Sequence, residues 1–289
     1  MSGTATNRTA IALPFELSTE ILQKTQDESA IMRLAQQIQL PGSGVEIPVI
    51  TGDVEAAWVA ETAAKPVSNP TVTQKYMSAY KLAVIVPFSN EFRRDLTQLY
   101  NALVARLPRT LAAKFDATVM GVGSKPGTNF DNFASTEAEE ITTDAYGAFV
   151  AAEAEIAENG GNLNGFAFAP AGKAQILGAV DKNDRPLFIN NVAEGAVPMI
   201  LGAPVYYNKG VADAAHNVVG LAGDFTQAYY GTVEGIKVDI ADQATLVVDK
   251  DTTINLFQQN MFAVRAEVEL GFIADTNCFV RFTATEASE

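Results

Sequence analysis

The chain has 289 residues, and its 34 acidic against 20 basic side chains give a net charge of 20 − 34 = −14, with 48% hydrophobic residues. That is enough apolar material for one large core or two modest ones, and the low charge fraction and 9% aromatics exclude disorder of the whole. One cysteine, Cys278, excludes an internal disulfide, and one histidine, His216, excludes an imidazole-rich metal site.

No stretch reaches the roughly 20 apolar residues of a membrane helix. The longest candidate, Gly195 to Tyr207, is interrupted by Pro198, Gly202 and Pro204. Met1 to Asn7 is small and polar without a secretory pattern, so intracellular synthesis is the expectation. The acidic balance repels phosphates, which argues against high-affinity nucleic-acid binding but allows packed DNA to lie alongside without sticking.

In chain order, Leu17, Ile21, Ile31, Leu34 and Ile38 recur with a broken helical period, predicting two short helices or one interrupted helix up to Leu40. Pro41 to Gly44 stops it, and Val45 to Ile50 alternates as a strand. From Thr51 to Gln74 the chain is poor in bulk, with Trp58 as its one large anchor, so this limb needs a partner surface. Tyr76 to Pro87 reads as a second extended run that pairs with Val45 to Ile50.

The strongest helix follows. Ser89 or Asn90 caps it, and Phe92, Leu96, Leu99, Leu103, Leu107, Leu111 and Phe115 hold one face for about seven turns. Pro108 inside that stripe predicts a kink or break. Gly121 to Gly127 is a turn-rich stop, Ala134 to Glu140 reads as an acidic loop, and a domain boundary is expected nearby. Asp144 caps a second helix ending at Asn159 to Gly161, Gly165 to Ala169 is a short buried strand, and Pro170 to Val180 is a third helix before a solvated turn at Asp181 to Asp184. Strand-like pieces follow at Val205 to Asn208, Val218 to Leu221, Tyr229 to Tyr230 and Gly235 to Ile240. From Phe262 to Phe272, Phe262, Val264, Ala266, Val268, Leu270 and Phe272 alternate against Ala263, Arg265, Glu267 and Glu269, predicting a strand with one buried and one charged side. The pattern is α+β.

Enzyme-like signals are weak. The glycines at 121, 123 and 127 follow a helix rather than a strand and lack the order of a phosphate loop. His216 reads as part of a polar loop, no nucleophile-elbow motif is present, and the acidic groups Glu137, Glu139, Glu140 and Glu153, Glu155, Glu158 lack metal-loop spacing. No cofactor and no metal are expected.

The segment Ala57-Trp58-Val59-Ala60-Glu61-Thr62-Ala63-Ala64-Lys65-Pro66, with the arm before it, the long helix after it and the Gly121 to Gly127 stop, resembles the major capsid proteins of tailed bacteriophages, the Hong-Kong-97-type fold. Phe168-Ala169-Pro170, Asp184 to Phe188, Ile200 to Val205 and Gly220 to Phe225 continue the resemblance in order, from about Pro14 to Phe282. It implies an N-terminal arm (1–44), an extended loop (45–80), a peripheral domain (81–143 and 236–289) built on a spine helix at about 90–120, and an axial domain (144–235).

By the same resemblance the chain is a non-enzymatic virion protein. Its copies form hexamers and pentamers of an icosahedral head around double-stranded DNA, without sequence-specific binding or membrane contact, assembled in the host bacterial cytoplasm. Trp58, Glu61 and Lys65 are the implied interface residues. The resemblance further implies an autocatalytic crosslink in which Lys65 attacks the side chain of Asn260 in another subunit, with Glu267 taking the proton. Against this stands a reading in which Lys65 only pairs with a carboxylate and Glu267 with Arg265 or a neighbour. The arm follows Met1 within a few residues, so scaffolding is expected from a separate protein or from a segment outside this sequence, and a portal is the other implied partner. An encapsulin-like nanocompartment shell, which shares the fold but encloses cargo enzymes, is the second reading, and an ordinary soluble enzyme the third.

Overall fold

The computed structural model describes residues 15–42, 44–50, 58–59, 65, 67, 72–91, 96–180, 185–187, 199–248 and 252–284. The solvated turn expected at Asp181 to Asp184 and the interface candidate Glu61 lie outside these residues.

The interrupted helix is α1 (Phe15–Glu28) and α2 (Ala30–Leu34). The break falls at Ser29, whose extended backbone and side-chain acceptance of the Met32 N–H cap α2. The helical reading fails at its end, because Gln36–Gln39 is a strand, β1, running parallel to a later one. Three glutamines around Ile38 carry little local preference, so the ladder to a distant segment decides the conformation.

β2 (Val45–Ile50) and β3 (Val72–Met77) form an antiparallel pair from Val45↔Met77 to Ile50↔Val72. The expected single run from Tyr76 to Pro87 is in fact divided at Ser78 and Ala79. Only its first two residues face β2, and the rest belongs to β4 (Tyr80–Ser89), which pairs antiparallel with β14 (Met261–Ala274) from Tyr80↔Leu270 to Ser89↔Met261. The alternation of Tyr80, Leu82, Val84, Val86 and Phe88 reflects packing on the main core rather than on the hairpin.

The spine, α3 (Leu96–Met120), runs continuously through Pro108, so the expected break is absent. Leu107, Leu111, Phe115 and Val119 are buried, and Gly121, at φ +97, stops the helix. The expected acidic loop contains a short edge strand, β5 (Ala138–Glu140). The remaining elements are α4 (Ala145–Glu158), β6 (Gly165–Phe168), α5 (Pro170–Gly178), β7 (Met199–Ile200), β8 (Ala203–Tyr207), β9 (Val218–Gly223), β10 (Ala228–Thr232), β11 (Lys237–Ala241), β12 (Thr245–Val247), β13 (Thr253–Asn255) and β15 (Phe279–Thr283). Asp144 caps α4 as expected, accepting from the Gly147 N–H at 2.9 Å.

Two larger sheets result. In the first, β14 carries β4 on one edge and β10 then β11 on the other, with β1 beyond β10. The second runs β5-β15-β9-β6-β8-β7. The second sheet separates two cores. Ala167, Leu221 and Phe279 face the main core with the spine and β14, while Phe166, Phe168, Ala222, Val280 and Phe282 face a second core under α4 and α5. The chain exchanges strands between the sheets: β10 leaves the second region to join β14, and β15 returns from β14 to pair with β9.

Two contacts lock α2 and the segment at Lys209–Val211 to the spine. A Cβ at Gly210 would lie 2.2 Å from the Ala113 carbonyl oxygen of α3, so only glycine permits this approach. Gly210→Ala is expected to cost about 2–3 kcal/mol in urea denaturation. The second contact is Asp116, fully buried, whose carboxylate accepts from the Ser29 hydroxyl at 2.5 Å and the Ala30 N–H at 3.0 Å.

Burial pushes the Asp116 carboxyl up to about 7, against the lowering pull of these donors. The folded chain therefore holds a proton that the unfolded chain releases near its ordinary 3.8, and this group's contribution to stability falls as pH rises from there to about 7, with no further loss above. Asp116→Asn keeps an acceptor for Ser29 and removes the titration. Denaturation at pH 5 and pH 8 is expected to shift the balance toward the variant, on the order of a few kcal/mol, at the higher pH.

Candidate functional site

The hairpin β2–β3 is firmly held at its base. Ile47 and Met77 pack with Leu40 and Ile273 in a small core of their own, and the Lys75 ammonium donates to Asp131 Oδ2 and to the Ala274 carbonyl, both at 2.8 Å. A Cβ at Gly231 would lie 2.4 Å from Leu40, and the hairpin base closes on this spot. Beyond Ile50↔Val72 the chain passes into the bulk-poor limb, of which residues 58–59, 65 and 67 are described. Trp58 is 106% exposed and Val67 85%, so neither side chain belongs to the subunit's own core. An indole left wholly in water on an anchored limb is an uncovered anchor, and large aromatics of this kind dominate the energetics of interfaces.

Lys65 lies exposed on the same limb. Asn260 is exposed at the turn before β14, with a left-handed backbone at φ +53. Its carboxamide oxygen accepts from Asn90 Nδ2 at 2.7 Å, and its backbone carbonyl accepts from the Asn90 N–H at 3.0 Å. Glu267 lies in β14 opposite Ala83 and Lys237, its carboxylate 3.2 Å from Arg265 Nε, while Arg265 also holds Asp239 at 2.7 Å. Glu267 thus makes the Arg265 pair that the competing reading expects. It lines an open groove of about 240 Å³ with Lys81, Glu234, Lys237 and Glu269.

Asn260 and Glu267 are not brought together within one subunit. They stand seven positions apart along the extended chain of β14, roughly 23 Å at the strand rise. A single amine can meet both side chains only if they come from different copies. Asn90 is the neighbour that sequence reasoning missed as a site residue; it was legible only as a helix cap. The antiparallel register that sets Ser89 against Met261 places it beside Asn260, and nothing local encodes that register.

The other candidate groups do not assemble into chemistry. His216 Nδ1 lies 2.7 Å from Asp213 Oδ2 in a loop where Asp213 also accepts from the Ala215 N–H, a turn-stabilising arrangement. Burial pushes the Cys278 thiol up to about 11, leaving little thiolate. The Glu155 carboxyl is raised by burial and then by Glu137, Glu139 and Glu158, a crowding of like charge, and among the described residues no cluster of potential metal ligands forms. No described helix is long and apolar enough to cross a membrane.

Solved structures share this architecture. A chain of Mycobacterium phage Adephagia superposes with a TM-score of 0.71 at 21% identity, covering 90% of this chain and 91% of that one. A chain described as the capsid of a native GTA particle superposes at 0.62 and 15% identity, covering 99% and 96%. The fold is the Hong-Kong-97-type capsid fold, in an α+β chain with a projecting hairpin, a spine helix and two sheets.

The sequence carries the assignment further. The chain belongs to the phage capsid family, whose profile matches residues 9–282. It is similar to the probable major capsid protein gp17 of Mycobacterium phage L5, 29% identical over 296 residues covering 95% of this chain and 90% of that protein. It is also similar to the major capsid protein of Staphylococcus phage 80alpha, 25% identical over 282 residues covering 94% and 84%. It is a structural protein of a phage capsid, and its place is the shell of the virion.

Proposed function

We propose that this chain is the major capsid subunit of a tailed bacteriophage, whose hexamers and pentamers close an icosahedral head around double-stranded DNA. The observation that carries this reading is the bare indole of Trp58 on a limb whose base is fixed. Covering it requires another surface, and many copies repeating one modest contact around rotation axes can close a shell. In this reading 1–44 is the arm and 45–80 the extended loop laid on a neighbour, with 81–143 and 236–289 as the peripheral body and 144–235 as the axial one. The strand exchange between the two sheets would let the bodies move as one piece. The net charge of −14 suits a wall that must not clamp packaged DNA. A separate scaffolding protein and a portal are the expected partners, and the host bacterial cytoplasm the expected place of assembly. Electron microscopy of the purified chain, with scaffold supplied where needed, is expected to show closed shells; a small fixed oligomer under every condition would refute the assignment.

The second part of the proposal is the weld. Lys65 of one copy attacks Asn260 Cγ of another, ammonia leaves, and Glu267 of a third copy moves the proton. The 23 Å spacing noted above requires the carboxylate to come from a different copy than the carboxamide. Denaturing electrophoresis of mature shells is expected to show ladders above subunit mass that vanish in Lys65→Ala, and a single band from wild-type shells would end this part of the proposal while leaving the shell itself.

A further inference from the structure

We propose that Asn90 is a catalytic hydrogen-bond donor for amide exchange at Asn260: its Nδ2–H is set to stabilise the negative charge that develops on Asn260 Oδ1 when an amine attacks. This inference rests on the crosslinking reading and adds to it a group that the reading does not contain.

Three observations converge on the pair. Asn90 Nδ2 already lies 2.7 Å from the resting Asn260 Oδ1 and can follow that oxygen as it becomes negative. The two residues are also tied by the Asn90 N–H bond to the Asn260 carbonyl at 3.0 Å, so the donor and the electrophilic carbon are held in one frame rather than meeting by chance. Asn90 Oδ1 is buried without a hydrogen-bond partner, and it is the side-chain atom in that condition among the described residues.

The last point decides between a structural and a functional role. A buried acceptor left unpaired costs about 1–3 kcal/mol, and turning both carboxamides over only moves the loss to a buried N–H. A side chain chosen for the fold alone would avoid that cost, and it falls on the residue that touches the candidate carboxamide.

In the step itself the neutral Lys65 amine of another copy forms a bond to Asn260 Cγ, and the carbonyl electron pair moves to Oδ1, where the Asn90 N–H receives it. Glutamate takes a proton from the attacking nitrogen. The pair then returns from Oδ1, the Cγ–Nδ2 bond breaks, and the proton passes to the departing nitrogen. A carboxamide and an amine become a secondary amide and ammonia, with no oxidant or cofactor needed.

The test is the rate of ladder formation in assembled shells of wild type, Asn90→Asp, Asn90→Ala and Lys65→Ala. Asn90→Asp matches the shape, can still accept from Asn260 Nδ2 and cannot donate. Both Asn90 variants are expected to form shells of normal size yet weld about 100-fold more slowly, the usual effect of losing one such donor. Where a variant does not close shells alone, it is assembled with excess wild-type chain and the linked peptide from the variant is followed by mass spectrometry. Wild-type rates in both Asn90 variants, with the ladder still lost in Lys65→Ala, would overturn the role of Asn90 alone. A wild-type shell with no ladder would overturn the weld and this inference together.

Discussion

Trp58→Ala is expected to leave a folded subunit that no longer closes shells. The indole contributes nothing to the chain's own core, being wholly exposed, so the variant's denaturation midpoint should match the wild type within experimental scatter. Its value lies between copies. Covering about 200 Å² of aromatic surface is worth up to about 5 kcal/mol per contact. Even the 2 kcal/mol at which a residue counts as a binding anchor weakens each contact about 30-fold. Because a shell multiplies one contact over every copy, such a loss is amplified into failure of closure. Sedimentation checks it: slow-moving subunits at concentrations where the wild type gives shells, with unchanged thermal unfolding, is the expected outcome. Shells at wild-type yield would mean that the limb is held by something other than its tryptophan.

Phe272→Ala is expected to fail in the opposite way, at the level of the subunit. Phe272 is fully buried in β14 and packs against Phe115 of the spine at 6.1 Å, Phe130 at 6.0 Å and Phe133 at 5.6 Å between ring centroids. Three segments distant in sequence meet on this one ring. Truncation removes its transfer free energy and leaves a cavity that β14, held at Phe272 by its pairing with Tyr230 and by the Asp131 N–H on the Phe272 carbonyl, cannot close; the expected cost is about 3–5 kcal/mol, much of a typical domain's stability. Urea denaturation and soluble yield read it. The two aromatic truncations therefore separate folding from assembly, Phe272 acting on the first and Trp58 on the second.

What the sequence disclosed follows a physical line. Features that rest on local periodicity were legible: the spine face through Leu107, Leu111 and Phe115, the strand at Val45–Ile50, and the alternation from Phe262 to Phe272 that became β14. Features decided by a distant partner were not. Gln36–Gln39 is a strand only because β10 lies beside it, and Ala138–Glu140 only because β15 does. The division at Ser78 and Ala79 arises where the chain turns from one partner to another, with Ser78 Oγ bonded by Asn129 and the Tyr80 hydroxyl accepting from the Asn129 N–H. Of the kink or break expected at Pro108, the break does not occur, since the buried stripe around it keeps the spine helical despite the missing donor.

The same line runs through the site. Trp58 could be recognised as an anchor because its surroundings are so poor in bulk, and Lys65, Asn260 and Glu267 could be chosen by resemblance. The distance between Asn260 and Glu267 and the pairing of Glu267 with Arg265 follow from the strand whose alternation was legible. That Asn90 touches the carboxamide oxygen depends on the register of β4 against β14, which nothing local encodes.

Trp58 is the single tryptophan of the chain, so its fluorescence reports the limb and nothing else. The direct measurement is the emission maximum and acrylamide quenching of dissociated subunits against closed shells. The account predicts a water-exposed, readily quenched indole in the subunit that shifts to the blue and becomes protected on closure. An indole already shielded in the isolated subunit, or equally exposed in the finished shell, would contradict it.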